Sequence, residues 1–520
     1  MAETKTGEAN LNLGRLLAQR AALGPERPFL FSAADGRRYT YAEFDAAVNR
    51  TARLLAAHGI GRGDVVSLLL PNSPEYIAAY FACFRLGAIA GPVNSLLKPP
   101  EIAYTVGHSE AKAALIHTDF ETKLDEVRKD LPALRAIINF DDEATATRDF
   151  AGPGDDSWLE AAVDPDDEAI IIYTSGTTGK PKGCLLTHRN LIANARQIVR
   201  WLGFTAQDRL LTVMPLFHMN AVTVTTLAPL YAGGATVIAP RFSASRFWKM
   251  VADYEITSFG SVATMLSMLL ARYPEGVPAG LDTSRLRFAM CGSAPVPVEV
   301  LKSFEERFHC LVIEGYGLSE STCRSTFNPP DSRRRPGSCG LPIGNEMKIF
   351  DEADGEVPAG VCGEIVLRGE NIFKGYFKDP AATARAFRGG WFHTGDVGRQ
   401  DADGFFYIVD RKSDMIIRGG ENIYPREIDE VLYSHPEVRE AAAVGVPDPL
   451  YGEDVAACVA LKEGSQLTEA DIIAYCRERL ADYKCPKQVR FVAELPKGPT
   501  GKILKRELAG LFAATAAQRI

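Results

Sequence analysis

The sequence predicts an α/β protein: a large N-terminal domain of α/β sheets, a small antiparallel β subdomain, a hinge and a small α+β C-terminal domain. Three observations carry this. From Asp64 to Glu314, short apolar runs that suit strands alternate with helical segments, as a layered sheet requires. Between Gly337 and Asp410 the runs become short and alternating, broken by Asp-Gly and Pro-Ala-Gly turns. Past the charged run Asp410-Arg411-Lys412-Ser413-Asp414 the order is helix, strand, strand, helix, strand, helix. The division therefore falls at 1–411 and 412–520.

Taken in order, Asn10 to Gly59 reads as mostly helical, and Asp64 to Leu70 as a strand. Ser73-Pro74-Glu75 supplies an N-cap, a first-turn proline and an early acid for a helix that Gly87 closes. Strands follow at Ala88 to Val93, Ala113 to His117 and Arg135 to Asn139, then an Asp/Gly-rich surface loop from Asp141 to Trp158. Ala169-Ile170-Ile171-Ile172 is a buried strand, and a helix runs from about Asn190 to Trp201. Arg209 to Met214 is a strand ending at Pro215-Leu216-Phe217-His218. Further alternation leads to two loops that each follow a strand, Cys291-Gly292-Ser293-Ala294-Pro295 and Glu314-Gly315-Tyr316-Gly317-Leu318-Ser319-Glu320. Ligands collect beyond the carboxyl ends of such strands, so these loops are expected to converge. In the last domain Pro425 opens a helix, Thr468 with Asp471 makes a capping box, and Val455 to Leu461 is a strand.

Bulk properties exclude several classes. With 520 residues, 46% of them apolar and 24% charged, the chain has the balance of a soluble globular protein. A net charge of −8 offers no basic field for nucleic acid. The ten cysteines form no Cys-x-x-Cys pair, which argues against a structural zinc and for a reducing compartment. Cys83, Cys184, Cys291 and Cys458 suit buried apolar positions. The first residues lack the apolar core of a signal peptide, no run is long enough to span a bilayer, and the last residues are no peroxisomal address. A cytoplasmic protein, monomer or homodimer, is expected.

The chemistry centres on Tyr173-Thr174-Ser175-Gly176-Thr177-Thr178-Gly179-Lys180-Pro181-Lys182-Gly183, directly after the buried strand. Small residues let backbone N–H groups turn inward, hydroxyls add donors, and Lys180 and Lys182 add charge: the composition of a polyphosphate cradle. It is not a Walker loop, because Thr174 lies five residues before Gly179 and Pro181 follows Lys180. A solvated linker is the alternative, though linkers rarely abut a buried strand.

These eleven residues resemble the phosphate-binding signature of the adenylate-forming superfamily, which includes acyl- and aryl-CoA synthetases, luciferases and peptide-synthetase adenylation domains. The resemblance implies ATP and Mg2+ as ligands, coenzyme A as co-substrate and a carboxylic acid as substrate. It makes Glu320 the magnesium ligand, with Thr178 as a second hydroxyl; on spacing alone Glu320 is a helix-start acid. Ser293, Ala294 and Pro295 are similar to the adenine-flanking loop and Tyr316 to the aromatic residue that stacks on the base, within Glu314, Gly315, Tyr316, Gly317 and Ser319. Asp396, in Trp391-Phe392-His393-Thr394-Gly395-Asp396, matches the ribose acceptor, and Arg411 the arginine near ribose or phosphate. Without the family, Gly395-Asp396 is a turn.

Lys502, in Pro499-Thr500-Gly501-Lys502, matches the catalytic lysine of the first half-reaction. Otherwise it is one solvated base beside Lys505 and Arg506. Ser413 stands where relatives carry a hinge Asp or Lys. Gly419 and Gly420 resemble the thiol tunnel of CoA ligases, where Tyr451, Tyr483 and Lys487 would contact the CoA nucleotide. His218 takes the place of an aromatic gate or is a packing residue.

The acid pocket is expected among His218, Asn220, Ser261, Val262, Ser293, Leu318 and Arg324. Its polar content suits a short or polar acid, and Arg324 suits a dicarboxylate or sulfonated one; the alternative sends Arg324 to solvent or to CoA phosphate with Arg333 to Arg335. An AMP-forming acid–CoA ligase is the expected function. The rivals are a ligase that delivers its adenylate to another acceptor and a silent nucleotide-binding protein.

Overall fold

The computed structural model describes residues 10–140, 157, 161–174, 180–292, 296–411, 414–419, 421–498 and 503–516. Two seven-stranded sheets dominate the N-terminal part. The first runs Leu311–Glu314, Phe288–Cys291, Ser258–Ser261, Arg209–Thr212, Ala235–Ile238, Pro28–Ser32, Arg38–Thr40, all parallel except the last pair. The second runs Gly375–Tyr376, Lys182–Thr187, Glu168–Thr174, Ile89–Pro92, Val65–Leu69, Ala113–Ile116, Ala136–Asn139. Its last four strands and Glu168–Thr174 are parallel, and the first two are antiparallel additions.

The helix expected after Ser73 spans Pro74–Leu86. The Ser73 hydroxyl accepts the Tyr76 N–H at 3.2 Å, a cap that stabilises by about 1 kcal/mol. Gly87 ends the helix at φ 68°, where a side chain would be strained. Nearly every residue of this helix is buried, because the helices Leu13–Leu23 and Tyr41–Ala57 cover the face turned away from the sheet.

Asn10 to Gly59 is mostly helical, as expected, but the strands Pro28–Ser32 and Arg38–Thr40, which were not expected, separate its two helices. The main partner of Pro28–Ser32 is Ala235–Ile238, some two hundred residues away, so no local pattern announces it. After His218 the chain forms an eight-residue π-helix, Asn220–Leu227. The Thr225 and Thr226 hydroxyls both reach back to the Ala221 carbonyl, and Thr225 also meets Thr212 at 2.8 Å. Wide turns of this kind concentrate at functional sites. The expected loop from Asp141 to Trp158 lies outside the described residues, save Ser157.

The short strands after Gly337 form an antiparallel sheet of Glu346–Phe350, Gly363–Arg368, Trp391–Gln400, Phe387–Arg388 and Phe406–Arg411. From Ile416 onward the strands belong to a separate five-stranded sheet. A long hairpin, Val438–Asp448 with Gly452–Leu461, is its centre, and Pro425–Tyr433 packs against it. Thr468 and Asp471 cap the helix Glu469–Arg477 reciprocally. Among the described residues, no helix is long and apolar enough to cross a membrane.

Candidate functional site

The cradle's flanks are described, and they converge on Glu320. Thr174 ends one strand and faces Lys182, which opens the next. The Lys180 ammonium lies 5.4 Å from the Tyr104 ring and that of Lys182 lies 5.0 Å from the Tyr376 ring. The Tyr376 hydroxyl donates to Glu320 Oε1 at 3.0 Å. Backbone bonds fix this corner: Phe373 donates to the Glu320 carbonyl, Lys374 to Leu185 and Phe377 to Gly183. Burial and the Glu320 charge push the Tyr376 phenol up, which keeps it a donor. A base, a tyrosine and a carboxylate thus stand together at the exit of the glycine-rich loop.

The expected nucleoside side is built from two sheets. Tyr316 follows Leu311–Glu314, Asp396 lies in Trp391–Gln400, and the Tyr316 hydroxyl donates to Asp396 Oδ2 at 2.6 Å. The Asp396 carboxylate is only 5% exposed, and its N–H donates to Thr394. Gly395, at φ 74°, donates its N–H to the buried Glu364, which also meets His393 Nδ1 at 3.2 Å. Arg411 is paired in register with Asp396.

Glu314 is turned away from this wall, with its carboxylate accepting the Gly337 N–H at 3.0 Å. Burial pushes its carboxyl up to about 8, against the pull of that N–H, Arg426 and Arg334. Between its ordinary value of 4.5 and about 8, the folded protein keeps a proton that the unfolded chain has lost. Stability therefore declines as pH rises through that window. A Glu314→Gln variant should melt several degrees above the parent at pH 8 and close to it at pH 4.5, by thermal denaturation.

The expected acid pocket gathers over the carboxyl ends of three adjacent strands, Ser258–Ser261, Phe288–Cys291 and Leu311–Glu314. The Ser261 hydroxyl donates to the Met290 carbonyl at 3.1 Å, and Val262 is buried at the start of the next helix. Leu318 is half-buried and donates its N–H to Ser321 Oγ. Arg324 is 1% exposed, with its guanidinium 5.4 Å from the Phe327 ring. Asn194 holds its backbone from both sides, accepting the N–H at 3.0 Å and donating to the carbonyl at 2.6 Å. Solvent exposure, one alternative for Arg324, is thereby excluded; Arg333 to Arg335, the other alternative's partners, each pair with acids.

Room for this segment explains the glycines. A Cβ on Gly292 would sit 2.8 Å from both terminal Arg324 nitrogens, one on Gly315 2.5 Å from the Phe327 ring, and one on Gly317 would overlap the Cys323 carbonyl. Asn220 is buried against Gly260, and neither of its amide atoms has a hydrogen-bond partner among the described residues. His218, half-buried, lies 4.6 Å from the Phe217 ring. Burial lowers its imidazole to about 4, so it is neutral in ordinary buffers.

On the expected CoA side, Gly419 donates to the Tyr451 carbonyl at 2.9 Å, and Arg418 stacks on the Tyr451 ring at 3.9 Å while pairing with Asp454. Tyr483 packs in the C-terminal core and Lys487 is exposed. No hydrogen bond, ion pair or ring contact among the described residues joins either to Tyr451. Beside the expected hinge, Arg426 donates its N–H to Asp410 at 3.1 Å and its guanidinium to the Ile408 carbonyl. Ser175, Gly176, Thr177, Thr178, Gly179, Ser293, Ala294, Pro295, Ser413, Gly420 and Lys502 lie outside the described residues.

Tyr376, Asn194 and Glu364 were not expected. Each acts on a residue 31 to 130 positions away, through a contact that no contiguous motif encodes. The only local signal is Gly375, forced by Thr383 and a φ of 150°, beside Tyr376.

Fold and site together define a two-part, nucleotide-dependent activating enzyme. Family models for the AMP-binding enzyme and the AMP-binding enzyme C-terminal domain match residues 17–377 and 427–502, and the chain belongs to this family of adenylate-forming enzymes. It is 40% identical over 504 residues to a sulfoacetate–CoA ligase of Cupriavidus necator, covering 95% of this chain and 97% of that one. It is 35% identical over 507 residues to a long-chain-fatty-acid–CoA ligase of Mycobacterium tuberculosis, covering 97% and 99%. The crystal structure of an anthranilate CoA ligase with anthranoyl-AMP superposes with a TM-score of 0.90 at 30% identity, covering 98% of each chain.

Proposed function

We propose that this protein is an AMP-forming acid–CoA ligase acting on a short or polar acid. The observation that carries it is the corner where Lys182, Tyr376 and Glu320 meet at the exit of the phosphate signature. The relatives support a CoA ligase, and the buried Asn220, Ser261 and Arg324 support a polar acid. The proposed division is 1–411, which binds acid and ATP, and 412–520, which carries Lys502. The change of sheet between Arg411 and Ile416 supports it.

In the first half-reaction the acid's carboxylate oxygen attacks the α-phosphorus and pyrophosphate leaves. Two anions meet, and the Lys502 ammonium offsets the charge that grows on the phosphorane oxygens. The cradle of Thr174 to Lys182 binds the phosphates. Tyr316 and Ser293 to Pro295 flank the base, and Asp396 and Arg411 hold the ribose. Glu320, with the Tyr376 hydroxyl on its Oε1, offers the oxygen donors that a magnesium shared with phosphates and water would take, and Thr178 would add a hydroxyl. When bound, that ion neutralises phosphate charge. The small domain then turns about Ser413, and the thiolate of coenzyme A, guided by Gly419 and Gly420 and held by Tyr451, Tyr483 and Lys487, attacks the acyl carbonyl and releases AMP. His218 gates the two channels as a neutral ring.

A reducing, cytoplasmic setting is part of the proposal, supported by ten free thiols, as is a monomer or homodimer that binds no nucleic acid. Incubating the protein with ATP, Mg2+, coenzyme A and a panel of short, dicarboxylic and aryl acids should give AMP and thioester in equal amounts. ADP as the product, or pyrophosphate exchange that never leads to thioester, would contradict it; the latter favours an adenylate delivered elsewhere.

A further inference from the structure

A second buried arginine shows what Arg324 lacks. Arg85 is as fully enclosed, but its guanidinium pairs with Asp45 at 2.6 Å, meets the Asn49 side chain, and donates to the Asp45 and Gly14 carbonyls. Arg324 is as deeply enclosed, yet Nε and Nη2 have no hydrogen-bond partner among the described residues and no carboxylate lies within ion-pair distance. A guanidinium keeps its charge in proteins, and a buried uncompensated charge is costly. The face of Phe327 lies 5.4 Å from the Arg324 guanidinium, and the buried Cys291 and Cys323 thiols also feel its charge. Asn194 already satisfies both backbone groups of Arg324, so the side chain is not spent on capping the loop.

Asn220 completes the picture. Its amide lies against Gly260 and the Arg324 guanidinium against Gly292. Gly260 pairs in register with Met290, two residues before Gly292, so both glycines face the same side of the sheet. Adjacent strands lie about 4.8 Å apart and two residues rise about 6.6 Å, which puts these two backbones roughly 8 Å from each other. One cation, unpartnered at Nε and Nη2, and one neutral amide, both buried and without hydrogen-bond partners at these atoms among the described residues, therefore overlie the same strand ends. Gly292 is what leaves Arg324 room to lie there.

We propose that Arg324, with Asn220 beside it, receives a second anionic group on the acid substrate, so that the enzyme selects short acids carrying a carboxylate, sulfonate or phosphonate at the end remote from the reacting carboxyl. The proposal rests on the ligase function above and names its substrate class. A planar fork of donors suits any such oxyanion, and enclosure of the head group limits the length of the acid.

The test compares kcat/KM for AMP release with coenzyme A, using malonate, sulfoacetate and phosphonoacetate against monomethyl malonate and butyrate. The parent should prefer at least one acid with a second anionic group over the singly charged analogues by about 100-fold or more, because a site built for a polar group rejects its absence strongly. The three anions distinguish the head groups. In Arg324→Gln the preference should fall to within about threefold, with ATP binding by calorimetry unchanged. Equal or better use of the singly charged acids by the parent overturns the proposal even if the variant fails to fold. A dianion preference that survives in Arg324→Gln overturns it too. If no acid of either kind releases AMP, the ligase function itself fails instead.

Discussion

In a Lys502→Ala variant, acid-dependent pyrophosphate release should fall by about 100-fold or more, while thioester formation from presynthesised acyl-adenylate stays within about twofold of the parent. The expected loss follows from charge: removing one donor aimed at a developing oxyanion costs about 3 kcal/mol or more. The selectivity follows from timing. Once pyrophosphate has left, the thiolate attacks a neutral carbonyl, and no second anion needs a bridging ammonium. Rapid quench of the two half-reactions checks both arms. Equal loss in both would make Lys502 a general structural or binding residue. Unchanged adenylation would remove it from the mechanism.

The Glu320→Gln variant should need about 10- to 100-fold more Mg2+ for half-maximal adenylation, and at saturating Mg2+ should remain at least tenfold slow. The carboxylate accepts from the Tyr376 hydroxyl, whose ring Lys182 approaches at the loop exit, and the proposed role gives its charge a phosphate-bound cation to meet. A Tyr376→Phe variant separates this role from simple packing. It keeps the carboxylate charge and removes only the orienting bond, so its Mg2+ requirement should move by less than that of Glu320→Gln. Measuring pyrophosphate release against Mg2+ concentration in both variants decides the matter.

Contiguous chemistry was legible in the sequence. The phosphate signature sits in eleven consecutive residues behind an apolar strand, and caps such as Ser73 and Gly87 mark a helix locally. Contacts across the chain were not legible. The strand Pro28–Ser32 needs Ala235–Ile238, Tyr376 needs Glu320, and Arg324 needs Asn194, none of which a local period encodes. The π-helix was hidden for another reason. Asn220 to Leu227 is buried throughout, so no polar face reveals its period. Arg324 was visible as a charge in a polar stretch, and folding supplied the decisive facts, its enclosure and the lack of a partner for Nε and Nη2 among the described residues.

The central claim is that the acid's own oxygen is joined to the α-phosphorus before coenzyme A acts. Running the complete reaction with an acid whose carboxylate oxygens are both 18O, then weighing the nucleotide product, tests this directly. One labelled oxygen in each AMP is the predicted result. Unlabelled AMP, or label appearing in inorganic phosphate alongside ADP, would contradict it.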